Sequence, residues 1–536
     1  MELMTPQQIW KGYDASALPL AVSTLTDKRD GEFRIITAYF NGPTTTDGVV
    51  RVYARCIVPA GAGKYPAVVF MPDVGRPAES DVKWLADCGY AVIVPDYAGK
   101  REDTFEYTIY PISLACAEYA PERLTEYPSD MRFNCWSIWA EIGMRTLSYA
   151  AQLDFVDGAR MAMIGEGVAS SAALKAAALD RRLSCAITMY SSGRVDERSD
   201  DPNYIPYKVA LADAAYAPMV KVPLLMMIAS NEVDGSTDEM SSVYSLIPEE
   251  TGSRLSISER TSHAVGVKQR ANVGIWLKKY LTGEGNVPAQ PDLTASSSEH
   301  KLYYNIKSDP ACETELFVSR GTQEPSLRNW SQIKLMLVGE GEYIAHVDVY
   351  NAKEKIYSFV NTRQPGGISI SSPICEKLPA MLGIEETPLT NSRLIYDGDM
   401  GIDDWSEEAS MASMNTLSVV EGPFGINGVT AKSGALRTFK LGDPVFRGRE
   451  GYLLQIMLYS ETRQNVTLTI AASVKGGKYA EFSHIVELLP EENWRKLTLE
   501  ASDFKSPYGS CENWNDVFGL RISGSGAVIV ASMLWA

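Results

Sequence analysis

Histidine is scarce in this 536-residue chain: His263, His300, His346 and His484 are all there are. That argues against a His-rich metal site and leaves few positions for an imidazole base. The eight cysteines include no Cys-x-x-Cys pair. The ligand spacing of structural zinc and the dithiol of thioredoxin-type exchange are therefore missing. Cys56 and Cys185 lie inside apolar runs, where a reduced, buried thiol is expected. Positive charge is in deficit, with Lys+Arg 50 against Asp+Glu 67 and a formal net charge of −17. Such a surface repels phosphate backbones and anionic lipid, so neither nucleic acid nor a membrane is an expected partner. No run approaches the roughly 18 apolar residues of a membrane span. The opening MELMTPQQIW has no basic region followed by an apolar stretch. A cytoplasmic protein is expected, or an extracellular one if a signal peptide has been removed. Oligomeric state is not legible.

What is present is a globular balance, 45% hydrophobic and 22% charged, long enough for three or four domains. Residues 1–285 alternate short apolar strands with helix-like stretches. Strands are expected at 33–40, 49–57, 67–71, 91–95, 161–164, 184–190, 223–229 and 254–258, and helices at 79–88, 136–153, 168–180 and 265–282. Wholly apolar strands suit a mostly parallel sheet covered on both faces, an α/β/α arrangement, led here by antiparallel strands. Ligands of such sheets lie at the carboxyl ends of the strands. A Gly-, Pro- and Ser-rich run reads as a linker over 286–297. After it the helical period disappears. Residues 298–390 and 391–536 read as two all-β sandwich domains, with strand-like runs separated by turn signals.

Five ordered segments of the first region, KYPAVVFMPDVG, LADCGYAVIVPDYAGK, VDGARMAMIGEGVAS, VPLLMMIASNEVDG and SERTSHAVG, resemble the α/β-hydrolase family, especially its dienelactone-hydrolase and acetylxylan-esterase-like branches. In that family a Gly-x-Ser-x-Gly elbow holds the nucleophile on a sharp strand-to-helix turn. Here the turn reads Gly165-Glu166-Gly167-Val168-Ala169, and the nucleophile position holds Gly167. Glycine cannot form an acyl-enzyme, although it makes the turn easily. The resemblance places Glu232 at the acid position, with Asp234 as the other register, and His263 at the base position. Oxyanion donors would be the backbone N–H groups of Asp73 and Val168. The segment Met71-Pro72-Asp73-Val74-Gly75 departs from the family's glycine-rich pattern, because Pro72 has no N–H and Asp73 adds negative charge. Ser170, Ser171 and Glu166 are other potential nucleophiles, and each also reads as a packing or flanking residue. Aromatics of the 97–139 insertion, among them Tyr97, Phe105, Tyr110, Tyr127 and Trp136, either roof a ligand pocket, with Tyr97, Tyr110 and Trp136 on its wall, or pack the insertion onto the body.

Residues 298–390 resemble an immunoglobulin-like domain, and 391–536 a galactose-binding-like jelly roll of the carbohydrate-binding-module type. Trp330 and His346 read as core or edge residues. Asp397, Asp399, Asp403 and Asp404 cluster as carboxylates that either take Ca²⁺ or form a solvated acidic turn; no other cofactor is expected. Trp405, Trp494, Trp514 and Trp535 offer either a sugar-stacking face or core packing. Three functions follow. The first is a degenerate esterase that binds a carbohydrate or ester-bearing ligand without hydrolysing it. The second is an active carbohydrate esterase with another nucleophile or a substituted elbow. The third is a structural or assembly protein.

Overall fold

The computed structural model describes residues 3–74, 79–101, 105–125, 130–190, 204–298, 300–407, 416–474, 478–507 and 509–536. Gly75 of the oxyanion segment and Tyr127 of the aromatic insertion lie outside them. The apolar runs of the first region form one sheet. Its strands among the described residues are β1 (Ser23–Asp30), β2 (Phe33–Thr44), β3 (Val49–Pro59), β4 (Tyr65–Met71), β5 (Ala91–Pro95), β6 (Val156–Glu166), β7 (Leu183–Met189), β8 (Leu224–Ala229) and β9 (Arg254–Ser258). Their order is β1-β2-β3-β5-β4-β6-β7-β8-β9. β1 to β3 pair antiparallel, β3 joins β5 antiparallel, and every pairing from β5 to β9 is parallel. The helices are α1 (Pro6–Ile9), α2 (Glu79–Asp87), α3 (Cys135–Gln152), α4 (Ser170–Leu179), α5 (Ile205–Leu211), α6 (Asp213–Tyr216), α7 (Thr237–Tyr244) and α8 (Asn272–Thr282). This is the α/β-hydrolase arrangement, and the parallel strands end along one edge.

Two departures from expectation have local causes. β1 (STLTDKRD) is exposed at every position, so no alternation marks it as a strand. α8 begins at Asn272 rather than 265. Gly266 is extended (φ −65°, ψ 158°) and is followed by a separate short 3₁₀ turn, Val267–Gln269, so the helix cannot start at 265.

The β-rich half forms antiparallel sheets. The middle domain has a four-stranded and a five-stranded sheet, and the C-terminal domain has two six-stranded sheets around its own core. Part of the segment read as a linker is a strand, Asp292–Ser298, paired along its length with Lys301–Lys307. Its small polar residues and mostly exposed positions hid it. Trp405, Trp514 and Trp535 are buried in the C-terminal core, and the partly buried Trp494 donates its indole N–H to Pro423 O. In the acidic turn, Asp397 caps a helical turn, Asp399 accepts from Asn427, and Asp404 pairs with Lys440 at 2.5 Å.

The domains are packed tightly together. The core of the first domain continues into Phe317, Trp330, Tyr357 and Phe359 on one side of the sheet, and into Ile368 and Ile370 on the other. At the β9 edge, Ile257 N–H donates to Ser371 Oγ (2.6 Å) and Ile257 O accepts from Asn361 Nδ2 (3.1 Å). Asn272 exchanges two bonds with the Ser369 backbone (2.8 and 2.9 Å). Middle and C-terminal domains are joined by Arg320–Asp443 (3.3 Å) and by Arg447 Nη2 donating to Gly321 O (2.6 Å). No helix among the described residues is long and apolar enough to cross a membrane.

Candidate functional site

Five parallel strands deliver the site to one edge of the sheet. Asp73 follows the end of β4, Gly167 that of β6, Tyr190 that of β7, Glu232 that of β8 and His263 that of β9. The elbow is formed. β6 is buried from Met161 to Glu166, Gly167 turns at φ +56°, and a short helical turn leads into α4. A Cβ placed on Gly167 would lie 2.1 Å from Asp73 Cγ and 2.2 Å from its Oδ1. The carboxylate of Asp73 therefore occupies the space that a nucleophilic side chain at this turn would use.

Asp73 also takes the neighbouring donors. Its Oδ1 accepts from Val168 N–H (3.2 Å) and Val74 N–H (2.9 Å), and its Oδ2 faces His263 Nε2 at 3.2 Å. On the other side of the ring, His263 Nδ1 meets Glu232 Oε1 at 2.8 Å, with Asp234 Oδ2 at 3.6 Å. Glu232, fully buried, is held in place by the N–H groups of Val233 and Asp234, both at 3.0 Å. The result is a carboxylate–imidazole–carboxylate array, Asp73–His263–Glu232, with Tyr190 against the imidazole at a ring distance of 4.7 Å. Burial pushes the Asp73 carboxyl up. The hydrogen bond from His263, the Val168 N–H, the imidazole charge and the Val74 N–H together outweigh it, and the pKa lies below the ordinary 3.8.

The structure thus brings Gly167, Glu232 and His263 together. It corrects the expected oxyanion pair. The Val168 N–H is engaged by Asp73, and the Asp73 N–H points to Glu166 Oε2 at 3.5 Å. Neither stands free to receive a developing oxyanion. Ser170 and Ser171 are buried. Ser170 Oγ donates to Met189 O (2.6 Å), and Ser171 joins Lys175 and Asp213 in a cluster sealed inside the fold. Of the aromatics placed on a pocket wall, Tyr97 is 3% exposed and donates to Pro72 O, and Trp136 is 6% exposed and donates to Leu124 O. Tyr110 donates to Tyr97 O. These three are packing and bracing residues, whereas Phe105 is almost fully exposed.

Sequence reasoning missed the role of the middle domain. Trp330, fully buried, donates its indole N–H to Ser230 O (3.2 Å), and its own carbonyl accepts from Arg260 Nε (2.8 Å). Arg328 O accepts from Asn231 Nδ2 (2.7 Å), and the Arg328 guanidinium forks onto Asp238 at 2.6 and 2.7 Å. The loops that carry Glu232 and His263 are thus fastened by another domain. The ligand atoms of His263, Glu232 and Asp234 lie within 4.8 Å of one another, close enough to share a metal ion.

No family model matches this sequence, and no curated protein matches it either. Solved structures do. An acetyl xylan esterase from Paenibacillus sp. R4 is similar with a TM-score of 0.37 and 17% identity, over 50% of this chain and 91% of that one. A glucuronoyl esterase from Solibacter usitatus is similar with a TM-score of 0.36 and 15% identity, over 50% of this chain and 86% of that one. Acetyl xylan esterase 1 from Thermoanaerobacterium sp. JW/SL YS485 is similar with a TM-score of 0.34 and 14% identity, over 50% of this chain and 89% of that one.

Proposed function

We propose that this chain is an esterase-type scaffold that no longer forms a serine acyl-enzyme and that binds, rather than cleaves, a carbohydrate or ester-bearing ligand. The observation that carries this reading is the Asp73 carboxylate, seated where a serine side chain at the elbow would begin. Its charge opposes the build-up of a second negative charge on a tetrahedral intermediate, and its Oδ1 holds the Val168 N–H that would stabilise one. The retained Glu232–His263 pair is the remnant of the older chemistry.

Aryl acetate hydrolysis tests the reading. The unaltered chain is expected to match the buffer rate. Gly167→Ser alone stays inactive because the new side chain meets Asp73. Gly167→Ser combined with Asp73→Gly gains turnover that disappears with His263→Ala. Turnover by the unaltered chain, abolished by His263→Ala, would overturn it.

One observation favours a second reading, an enzyme with a carboxylate nucleophile. Asp73 Oδ1 is held by two N–H groups while Oδ2 lies beside the imidazole. In this reading an Oδ2 electron pair bonds to an electrophilic substrate carbon, whose leaving group departs with its own bond pair. Water deprotonated by His263 then attacks Asp73 Cγ and frees the product. Turnover in heavy-oxygen water that labels Asp73 would select it.

A further inference from the structure

An edge strand presents backbone N–H and C=O groups that another strand can take up, and this chain guards its edges unequally. The edge strand β1 carries Asp27, Lys28, Arg29 and Asp30, charges that discourage pairing with a second chain. In the middle domain, the strands Asp292–Ser298 and Met336–Gly339 are the two edges of the four-stranded sheet. The first is polar and ends in serines. The second reads Met-Leu-Val-Gly, and its three large side chains are 58%, 64% and 55% exposed.

Single exposed apolar residues are ordinary, whereas consecutive ones on an open edge form a contact surface. Inside the sheet the strand is paired, Met336 with Ile344 and Leu337 with Tyr343, and only its outer side is open among the described residues. A bulge at Val338 interrupts that register. Apolar side chains, more than a long hydrogen-bonded ladder, would therefore carry a contact here.

The residues that flank the run indicate what covers it. Lys334 and Glu340 stand at equal distances before and after Leu337. Both are exposed, and neither enters an ion pair among the described residues. A two-fold axis through Leu337 sets a second, antiparallel copy of the run against the first. Leu337 then meets Leu337, Met336 meets Val338, and Lys334 meets Glu340 at both ends. The run is its own complement in apolar character and in charge. That match matters because a net charge of −17 repels a second copy at a distance, so association needs opposite charges at the contact itself.

We propose that two copies of this chain associate side by side along residues 334–340, antiparallel about a two-fold axis at Leu337. None of these residues belongs to the Asp73–His263–Glu232 array, so the association does not depend on whether that array cleaves an ester.

Sedimentation equilibrium of the full chain tests this. A monomer–dimer equilibrium is expected in the micromolar range, and Leu337→Lys should weaken it at least tenfold. Lys334→Glu and Glu340→Lys should each weaken self-association severalfold, because each sets like charges together at both ends. Mixing those two variants should restore association to within about twofold of the unaltered chain, since every flanking contact between them again joins opposite charges. All these positions are exposed, so the variants keep the fold. A chain that stays monomeric throughout the micromolar range would overturn the proposal. So would a dimer that Leu337→Lys leaves unchanged, or a mixture of the two charge variants that associates no better than either alone.

Discussion

Two hollows lie on either side of the loop that carries His263, and they are furnished in opposite ways. At the elbow, a position that a side chain should project from has none, and a neighbouring carboxylate has moved into the space. At the interface with the C-terminal domain, two arginines, Glu407 and several hydroxyls line a cavity of about 290 Å³. A site filled from within is held by its own hydrogen bonds, so changes there should register as stability. A site left open should register little there. The comparison teaches that the position the α/β-hydrolase fold would nominate for chemistry here serves structure.

The largest effect should come from beneath the elbow. Lys175 is fully buried and reaches Asp213 at 2.9 Å. Asp213→Ala leaves that ammonium uncompensated and should cost about 3–5 kcal/mol in urea denaturation. A loss below about 1 kcal/mol would break the picture of a self-filled elbow. Next, Gly167→Ala should cost about 1–3 kcal/mol, because φ +56° suits glycine and the added methyl meets Asp73. Combined with Asp73→Gly, the loss should be smaller than the two single losses together, as a double-mutant cycle would read.

The acid limb comes third. The folded-state pKa of Asp73 lies below 3.8. Its contribution to stability is therefore present above the unfolded value and lost as pH falls through the lower, folded one. Denaturation midpoints followed from pH 5 downwards should show a drop that Asp73→Asn flattens. The smallest effect belongs to the other hollow. Arg521→Gln should change stability by no more than about 0.5 kcal/mol, so a clear fall in the melting temperature would blur the contrast between the two.

Much of the elbow was legible. The apolar runs of β4 to β9 follow from local pattern, and the resemblance to the α/β-hydrolase family singled out the Gly-Glu-Gly turn, Glu232 and His263. The pose of Asp73 was not. Its residue type announced unwelcome charge beside an oxyanion, but only the fold shows the side chain swung into the gap at Gly167. For Tyr97, Tyr110 and Trp136 the sequence left two readings open, since an aromatic in an insertion looks the same whether it lines a cleft or plugs one. Trp330 read as core, and it is core, yet its contacts with Ser230 and Arg260 join domains far apart in sequence. The alternation that pairs Arg437 with Arg521 was visible strand by strand. What that face looks towards was not.

The edge of β9 sets a schedule for the nascent chain. The N–H of Ile257 waits for Ser371, 114 residues later in the sequence. At about 5–20 residues per second, that is roughly 6–23 s of synthesis during which a finished strand has an open side. Until the middle domain emerges, the first domain is a nearly complete sheet able to recruit any passing strand, including one from a second nascent copy. Order of manufacture, as much as final contacts, then decides whether this molecule closes upon itself or upon its neighbour.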